Sequence, residues 1–392
     1  MQLLTLNTGS SSLKAALYQG GRGDQRMIAI RAERIGHADA RLRVTAADGT
    51  TLLDEQRELT DHAAALAALF SWLHDAQPDL TLDAVGHRLV HGGSRYRDPQ
   101  RVTAEMMAAL HELVPIDPEH LPQALAAIEA VTRAYPTLTQ IACFDTAFHQ
   151  HMPPVAQLYP LPREYHDAGL VRYGFHGLSY EYIMGALRDT DPAAVDGRII
   201  IAHLGSGASM VAVCDGVGRD TTMRFTPTGG MMMGTRTGDL DPGVLLYLLT
   251  SQGLDVAALG ELVNKRSGLL GVSGTSGDMR DLLDRAATDP QARMAIDLFC
   301  YTARKYIGAL AAVLGGVDTL VFTGGIGERT VTVRAAICAE LTFLGVTLDA
   351  ERNAAHAPII SRAAGAVTVR VLPTDEDLMI ARHTAQIVSQ KR

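Results

Sequence analysis

Cysteine is scarce in this sequence, since its 392 residues contain only four. Cys143, Cys214, Cys300 and Cys338 lie far apart, and no CxxC pair occurs among them. This spacing excludes the disulfide framework that is typical of small secreted domains. A reduced, cytoplasmic setting is therefore the default expectation.

Long hydrophobic runs are missing as well. No stretch reaches the roughly 18 apolar residues that a membrane-spanning helix needs. The opening segment, MQLLTLNTGSSSLK, has no basic start and only a short apolar run, so we expect no signal peptide. We accordingly expect no membrane partner.

Positive charge is in deficit. Lysine and arginine number 35 against 43 aspartates and glutamates, which gives a formal net charge of −8. Proteins whose main partner is nucleic acid usually carry a net basic face, so we expect no nucleic-acid partner. The net charge does not exclude small anionic ligands, because they need only a local positive pocket.

What the sequence does have is the composition of an ordinary folded protein, with 47% hydrophobic and 20% charged residues. Its length suggests two or three domains of roughly 150 residues each. Thr60 can cap a helix whose apolar residues Leu66, Leu69, Phe70 and Leu73 share one face. The first 145 residues read as a mixed α/β layered domain, with strands at 3–6, 14–18, 83–90 and 140–144 and helices at 103–114 and 123–134.

Near residue 198 the pattern starts again. Residues 198–213 repeat the plan of the N-terminus, in which an apolar strand, a small polar turn and a second apolar strand follow one another. A strand at 318–324 then takes the part that 140–146 plays in the first half. It follows a helix at 291–314, and the residues expected inward on this helix are Leu298, Phe299, Tyr306, Ile307, Leu310 and Leu314. We interpret this order as a domain duplication, and the alternative is a chance likeness between two Gly/Ser turns.

Three glycine-rich turns, at 9–12, 205–209 and 324–328, each follow an apolar strand. Successive backbone N–H groups in such turns form an anion-binding concavity, and Lys14 adds a positive charge beside the first. The third turn is expected to lead into a helix near Arg329. None is a P-loop, and Met210 stands where a dinucleotide fingerprint needs glycine. Together they predict a nucleotide held by hairpin turns.

Two arginines, Arg88 and Arg236, lie among glycines and apolar residues, where a guanidinium suits a carboxylate or a phosphate. For both arginines the equally supported alternative is a buried ion pair with a nearby Asp, for example Asp239 or Asp241. Asp145 and Glu376 are separated carboxylates near the turns, an arrangement that suits Mg²⁺. Among the histidines, His176 is best placed to reach a ligand, whereas the pair at 149 and 151 has no partner ligands at helical spacing.

Nine segments carry a family resemblance, and they run in order from residue 7 to residue 378. They are NTGSSSLK (7–14), GHRLVHGG (86–93), FDTAFH (144–149), YGFHGLSY (173–180), HLGSGAS (203–209), FTPTGGMMMGTRTGDLDP (225–242), SGLLGVSG (267–274), FTGGIGE (322–328) and PTDEDL (373–378). The set resembles the signature segments of the acetate kinase family.

The resemblance implies an α/β fold with two duplicated ribonuclease-H-like domains flanking an ATP cleft, the actin-like ATPase fold. The N-terminal domain would comprise residues 1–147 plus 377–392. Residues 148–376 would form the C-terminal domain, with the nucleotide-binding and dimer surfaces, so a homodimer is implied as well.

Site residues are carried over by motif position. Catalytic roles are implied for Asp145, Arg88, His176, Arg236 and His120. A small apolar pocket for the acyl group is implied for Val90, Phe175 and Pro227, beside Arg88. Metal-organising roles are implied for Asn7, Glu376 and Asp145. Nucleotide or phosphate contacts are implied for Lys14, Ser10, Ser12, His203, Leu204, Gly205, Ser206, Gly207, Asp278, Met279, Arg280, Gly324, Gly325, Ile326, Gly327 and Glu328.

The implied reaction is reversible, direct in-line phosphoryl transfer from ATP to acetate, giving acetyl phosphate and ADP, with Mg²⁺ or Mn²⁺. A carboxylate nucleophile is already ionised at pH 7, so no general base is required and the site must supply positive charge. Propionate and butyrate are the nearest rival substrates. A nucleotide-gated scaffold of the actin or heat-shock class is the alternative from another function class.

Several positions depart from the family pattern. Ser206 replaces the usual Asn, Arg329 follows Gly-Ile-Gly-Glu in place of Asn, and Leu178 and Tyr180 replace Thr and His. In PIDPEHLP (115–122), His120 keeps the family histidine, but Glu119 takes an apolar pocket position. An inward Glu119 would repel a carboxylate substrate, so we expect it to face solvent or pair with an arginine.

Overall fold

The computed structural model describes residues 1–9 and 11–390. Its strands are β1 (Gln2–Thr8), β2 (Ser12–Gln19), β3 (Gln25–Glu33), β4 (Arg41–Ala46), β5 (Thr51–Gln56), β6 (Ala84–Leu89), β7 (Gln100–Arg101), β8 (Thr139–Phe144), β9 (Arg198–Leu204), β10 (Ala208–Cys214), β11 (Val217–Thr221), β12 (Thr319–Thr323) and β13 (Thr368–Val371).

The helices of the first 200 residues are α1 (His62–Ala76), α2 (Ala104–Glu112), α3 (Leu121–Ala134), α4 (Pro154–Gln157), α5 (Arg163–Asp167), α6 (Gly177–Thr190) and α7 (Pro192–Val195). Those that follow are α8 (Pro242–Thr250), α9 (Val256–Lys265), α10 (Gly268–Ser273), α11 (Met279–Arg285), α12 (Pro290–Leu314), α13 (Gly324–Arg329), α14 (Val331–Cys338), α15 (Ala350–Ala354) and α16 (Glu376–Ser389).

The chain forms two compact units. Unit 1 comprises residues 1–147 and the chain from Asp375 onward, and unit 2 comprises Phe148–Thr374. The sheet of unit 1 has the order β5-β4-β3-β2-β1-β6-β8-β7, and that of unit 2 has the order β11-β10-β9-β12-β13. In both, an antiparallel meander, with five strands (β1 to β5) in unit 1 and three (β9 to β11) in unit 2, is joined through its first strand to two parallel strands. This shared order supports the interpretation as a duplication.

One predicted correspondence between the halves is wrong. The strand expected at 318–324 was matched to residues 140–146, which form β8 and the turn after it. In the structure β12 pairs with β9 in the way that β6 pairs with β1, so β12 is the counterpart of β6 and β13 is that of β8. Chain order misleads here because unit 2 places its parallel strands after a long helical insertion.

The core of unit 1 lies on both faces of its sheet. On one face, Leu66 and Leu69 of α1 and Val131 of α3 pack against buried residues of β1 to β4. On the other, Ala381 and Ala385 of α16 pack against Leu3, Tyr18 and neighbouring strand residues. Because alternate strand residues point to opposite faces, the apolar runs of β1 and β6 fill both layers.

The core of unit 2 joins helix α6 to the sheet. Ile183 and Leu187 of α6 pack against Ile199 and Ile201 of β9 and against Val211 of β10. Helix α12 packs against β9, β10 and β11 as well. These contacts fix the ends of β9 and β12, where two of the glycine turns lie.

Two local predictions are wrong. Asp61, and not Thr60, caps α1, because its carboxylate accepts the backbone N–H of Ala64 at 2.8 Å. Leu298 of α12 is 38% exposed and does not face the core, although Phe299, Ile307 and Leu310 do. No helix of the described ranges 1–9 and 11–390 is long and apolar enough to cross a membrane.

Three buried histidines make the folded protein less stable at acid pH. Burial lowers the pKa of His87, His91 and His149 to about 4. The unfolded chain protonates these rings below about 6.5, whereas the folded chain leaves them neutral until about pH 4. The free energy of unfolding therefore falls as the pH drops from about 6.5 to about 4.

We expect His87→Gln to reduce this loss by up to about 3 kcal/mol, since 1.36 kcal/mol corresponds to each pKa unit. Urea unfolding measured from pH 7 to pH 4 checks this. His74→Gln, at the exposed end of α1, is the control. Equal pH slopes for wild type and His87→Gln would contradict the prediction.

Candidate active site

Arg88 and Asp145 meet at the carboxyl ends of two neighbouring parallel strands of unit 1. Arg88 lies in β6, directly opposite Cys143 of β8, and Asp145 follows β8. The guanidinium Nε lies 3.1 and 3.0 Å from the two carboxylate oxygens of Asp145, and Nη2 lies 2.5 Å from Oδ2. The side chain of Asp145 is 1% exposed. The two residues therefore form a buried, forked ion pair.

Asn7 and Glu376 extend this pair. Arg88 Nη1 donates to Asn7 Oδ1 at 3.0 Å, and Asn7 Nδ2 donates to Glu376 Oε2 at 3.4 Å. Asn7 lies in β1, opposite Lys14 of β2, and Glu376 begins α16. The first turn, the two strand ends and the last helix thus bring together the predicted metal-organising and carboxylate-binding residues of unit 1.

The charges of this cluster are strongly coupled. Burial raises the pKa of Asp145, against the opposing effect of Arg88. Burial acts to lower the pKa of Arg88, but the carboxylates of Asp145 and Glu376 outweigh it and raise that pKa. Burial also raises the pKa of the neighbouring Asp377 to about 6. Arg88 is therefore cationic throughout the accessible pH range.

The first glycine turn is closed by the backbone. The N–H of Gly9 donates to the carbonyl of Ser12 at 2.8 Å, and Nε2 of His62 lies 2.7 Å from the carbonyl of Gly9. Lys14 is exposed beside it. Ser10, predicted as a phosphate contact, lies outside the described residues. His62 was not predicted as a site residue, since α1 lies far along the chain from this turn.

In unit 2 the second glycine turn joins β9 to β10. The N–H of Gly205 donates to the carbonyl of Gly207 at 3.0 Å. Ser206 is an exposed residue, and its carbonyl accepts from the backbone N–H of Gly234. A Cβ atom at Gly207 would lie 3.4 Å from His176 Nε2 and 3.8 Å from Arg236 Nη1. The second turn, His176 and Arg236 therefore lie close to one another.

His176 is held in a strained position. Its φ of 60° places it in the left-handed region immediately before α6, which costs roughly 1–2 kcal/mol for a non-glycine residue. Its Nδ1 lies 2.8 Å from Ser209 Oγ, which also bonds the Tyr180 hydroxyl. The ring stacks on that of His203 with centroids 4.2 Å apart. These contacts orient Nε2 toward Gly207.

His149 supports this arrangement, a role that the sequence reasoning missed. Its Nε2–H donates to the carbonyl of Phe175 at 3.0 Å, and burial lowers its pKa, so the ring is neutral at pH 7. The bond fixes the residue before His176. No group of three or more His, Cys, Asp or Glu side chains that could hold a metal ion occurs in the described part of the chain.

Arg236 is not paired with the carboxylates considered for it. Asp239 binds the guanidinium of Arg224 and accepts from Tyr306 at 2.5 Å, and Asp241 caps α8. Arg236 Nη1 instead donates to the carbonyl of Pro227 at 3.1 Å. Arg236 therefore pairs with neither Asp239 nor Asp241, whereas Arg88 does form the buried ion pair of the alternative, with Asp145.

The third glycine turn is itself helical. The helix expected near Arg329 begins at Gly324, so Gly324 to Glu328 lie within α13. Oε1 of Glu328 accepts from the backbone N–H of Gly324 at 3.0 Å and from that of Thr374 at 3.2 Å. The carboxylate of Glu328 thus holds the turn together, alongside its predicted nucleotide contact.

Arg334 supports the same turn and was not predicted. Its guanidinium is fully buried and donates to the carbonyls of Gly327 and Glu328 at 2.8 and 2.9 Å. Its Nε donates to Asn353 Oδ1 at 2.8 Å, and burial lowers its pKa. Nothing in the local sequence of α14 marks this role, because the partners lie in other elements.

Gly324 tests the importance of the third turn. Its φ is +75°, and a Cβ atom there would lie 2.7 Å from the carbonyl oxygen of Leu204. We expect Gly324→Ala to raise the KM for ATP about tenfold, since left-handed strain alone costs about 1–2 kcal/mol. Gly308→Ala in α12 is the matched control, because a Cβ atom there meets nothing within 4 Å and no nucleotide contact is predicted for it. Equal KM values for the two variants would contradict the assignment.

The remaining predicted residues fall into two sets. Asp278 caps α11 through the N–H of Arg280, Met279 is buried, and Arg280 is exposed. Val90 is buried in unit 1, whereas Phe175 and Pro227 are buried in unit 2. Glu119 is half-buried. The nucleotide role of the first set and the acyl pocket formed by the second stay predictions.

His120 is fixed by a neighbouring carboxylate. Its Nδ1 lies 2.9 Å from Oδ1 of Asp117, a residue that is 3% exposed. Burial raises the pKa of Asp145, and His120 is among the groups that oppose this effect. Asp117 was not predicted as a site residue.

Comparisons with known proteins cover the whole chain. The family model described as "Acetokinase family" matches residues 2–382. An acetate kinase of Rhodopseudomonas palustris (strain TIE-1) is 48% identical over 396 residues, which cover 100% of this chain and 99% of that protein. An acetate kinase of Rhizobium meliloti is 44% identical, with 99% and 98% covered.

Solved structures agree. The crystal structure of Porphyromonas gingivalis acetate kinase matches with a TM-score of 0.87 at 38% identity, covering 98% of this chain and 99% of that one. A propionate kinase from Francisella tularensis subsp. tularensis SCHU S4 matches with a TM-score of 0.91 at 32% identity, with 97% and 98% covered. These likenesses confirm the predicted fold class.

Proposed function

Since the chain belongs to the acetokinase family, we propose that it is an ATP-dependent acetate kinase. It would transfer the γ-phosphoryl group of ATP reversibly to the carboxylate of acetate, giving acetyl phosphate and ADP. The single observation that carries this proposal is the Arg88–Asp145–Asn7–Glu376 cluster. It offers a buried, permanently cationic fork next to acidic and amide oxygens, which suits an anion that meets a metal-bound phosphate.

The chain's own groups account for the transfer without a general base. Acetate is ionised at pH 7, so its oxygen is already a nucleophile, and the barrier lies in bringing two anions together. Arg88 in unit 1 would hold the carboxylate. Arg236 and His176 in unit 2 would stabilise the charge of the transferring group, with the backbone N–H groups of the second turn. Such catalysis works by positioning and electrostatic stabilisation.

A divalent metal fits this cluster. Oδ1 of Asp377 is buried without a hydrogen-bond partner among the described residues, and it adjoins Glu376. Both carboxylate oxygens of Asp145 are hydrogen-bonded to Arg88. Glu376 and Asn7 would therefore hold the ion, and Asp145 would organise its water. We propose Mg²⁺, replaceable by Mn²⁺, since Mg²⁺ takes one or two protein oxygens and keeps several waters. When bound, it neutralises phosphate charge.

The size of the acyl group is the main rival question. The solved structure with a TM-score of 0.91 is called a propionate kinase, so propionate and butyrate stay in competition with acetate. One methylene in an apolar pocket changes binding by only about 1–3 kcal/mol. The test is kcat/KM for acetate, propionate and butyrate with MgATP. We expect acetate to be the best of the three, and no acyl phosphate from any acid would overturn the proposal.

We propose a homodimer formed through unit 2. Helix α8 has the sequence PGVLLYLLT, and none of its residues is buried, with Leu246 62% and Tyr247 56% exposed. Leu240, just before α8, lines a cleft of about 740 Å³ together with Leu298 of α12. Monomers rarely expose apolar surface of this extent.

A single charge should break this dimer. We expect wild type to sediment at about twice 41.9 kDa and Leu246→Asp to sediment as a monomer, since an unpaired carboxylate is costly in an apolar interface. Val155→Asp, at a residue of unit 2 that is 81% exposed, is the matched control. A monomeric wild type, or a dimeric Leu246→Asp variant, would contradict the assignment.

We also propose a cytoplasmic location. All four cysteines are free, and three of them, Cys143, Cys300 and Cys338, are buried. Free thiols suit a reducing compartment.

A further inference from the structure

The acidic side chain of Asp117 contacts His120, and the proposed reaction does not itself require this carboxylate. Asp117 is 3% exposed and lies in the segment between α2 and α3. One carboxylate oxygen, Oδ1, is 2.9 Å from His120 Nδ1, and the other, Oδ2, is buried without a hydrogen-bond partner among the described residues. Burying a carboxylate is costly unless a donor compensates it, so this contact has a specific consequence for His120.

The backbone holds the two residues at a fixed spacing. The N–H of Asp117 donates to the carbonyl of Leu113 at 3.4 Å, and its own carbonyl accepts from Leu121 at 3.2 Å. Asp117 and His120 are thus separated by a single turn that leads into α3. The side chain of His120 is 16% exposed and does not cap that helix. Its orientation is therefore set by Asp117 through Nδ1.

His91 is the second ring beside Asp117. The N–H of Gly93 donates to Nδ1 of His91 at 2.8 Å, so the proton of this neutral ring is on Nε2. Burial lowers the pKa of His91, and the negative charge of Asp117 opposes that effect. His91 is accordingly neutral at pH 7, and His120 is the imidazole whose Nδ1 contacts the carboxylate.

We propose that Asp117 is a positioning residue that holds the proton of His120 on Nδ1 and balances the charge of the ring when Nε2–H donates to an anionic oxygen. The number of protons on the ring decides which of its nitrogens can donate. An imidazole whose Nδ1–H is held by a carboxylate donates from Nε2 only when it carries both protons. A carboxylate partner fixes the tautomer and the ring orientation of metal-binding and catalytic histidines in the same way. The expected effect of Asp117 on kcat rests on the proposed phosphoryl transfer.

Two substitutions separate the charge from the hydrogen bond. Asp117→Asn keeps an acceptor oxygen and removes the charge, whereas Asp117→Ala removes both. We expect kcat to fall about 10–100-fold in each, the range found for carboxylate partners of metal-binding histidines. The KM values for acetate and ATP should change less than about threefold, because Arg88 and the glycine turns are untouched. Glu112→Gln, an exposed residue of α2, is the matched control and should keep wild-type kcat.

A spectroscopic measurement reads the proton directly. Long-range ¹H–¹⁵N spectra of the full chain labelled with ¹⁵N-histidine report which ring nitrogens are protonated, and the signals that disappear in His120→Gln identify His120. We expect a protonated Nδ1 in wild type and its loss in Asp117→Ala. An unprotonated Nδ1 in wild type, or a wild-type kcat in Asp117→Ala, would overturn the proposal.

The two measurements also separate this inference from the proposed function. If wild type makes no acyl phosphate, the proposed function fails, whereas the wild-type spectrum still decides whether Asp117 holds the Nδ1 proton. If wild type is active and the spectrum shows an unprotonated Nδ1, only the positioning role fails. The wild-type spectrum also decides the matter if neither Asp117 variant folds.

Discussion

Replacing Arg88 by methionine should lower kcat about 10²–10³-fold, the usual effect of removing one preorganised donor from a transition state. The guanidinium is the permanently charged group at the ends of β6 and β8, and methionine fills similar volume without a donor. Stopped-time assays of acyl phosphate formation check the result. A kcat within about threefold of wild type would remove Arg88 from the reaction.

The same change should also destabilise unit 1, and that effect must be separated from catalysis. Removing one partner of a buried ion pair costs about 3–5 kcal/mol, because Asp145 is 1% exposed and loses its fork. Asp145→Asn added to Arg88→Met removes the stranded charge. We expect the double variant to recover most of the unfolding free energy in urea while its kcat stays low. If kcat of the double variant recovered together with its unfolding free energy, Arg88 would have only a structural role.

The second large effect concerns Arg236. We expect Arg236→Ala to lower kcat about 10²–10³-fold with little change in stability. Within unit 2 its Nη1 donates to the carbonyl of Pro227 at 3.1 Å, and the carboxylates of Asp239 and Asp241 have other partners. Its Nη1 lies beside the second glycine turn, close to where His176 Nε2 also points. Steady-state kinetics and thermal unfolding of the same preparation measure both quantities.

Arg224→Ala is the matched control for Arg236. Arg224 lies twelve positions earlier and forms an ion pair with Asp239 on the cleft that Tyr306 also lines. We expect its removal to affect stability or dimerisation and to leave kcat within about threefold of wild type. If Arg224→Ala lowered kcat as much as Arg236→Ala, the assignment of the two arginines would be reversed.

Much of this site could be inferred from the sequence because its parts are local. Each glycine turn directly follows an apolar strand, and parallel strands bring their carboxyl ends to one edge of a sheet. Arg88 and Asp145 therefore had to meet once β6 and β8 were neighbours. The motif order added the roles of Asn7, His176 and Glu376, which no spacing rule provides.

The remaining features depend on partners distant in the chain. Whether Asp239 pairs with Arg224 or Arg236 is decided by the fold of a glycine-rich loop, and both choices suit the sequence equally well. Arg334 and, in our proposal, Asp117 act through other residues and lie outside the nine family segments, whereas His149 lies in FDTAFH without any sign there of its bond to Phe175. The exposed face of α8 looks like core in the sequence, because apolar residues predict burial without saying whether the same chain or a partner covers them.

The central claim is that the carboxylate of acetate, and not water, is the acceptor of the γ-phosphoryl group of ATP. The most direct measurement uses acetate labelled with ¹⁸O in both carboxylate oxygens, together with MgATP, and follows the product by ³¹P NMR. We expect acetyl phosphate whose bridging oxygen is ¹⁸O, formed in equal amount to ADP. ADP accompanied by unlabelled inorganic phosphate alone, with no acetyl phosphate, would contradict the claim.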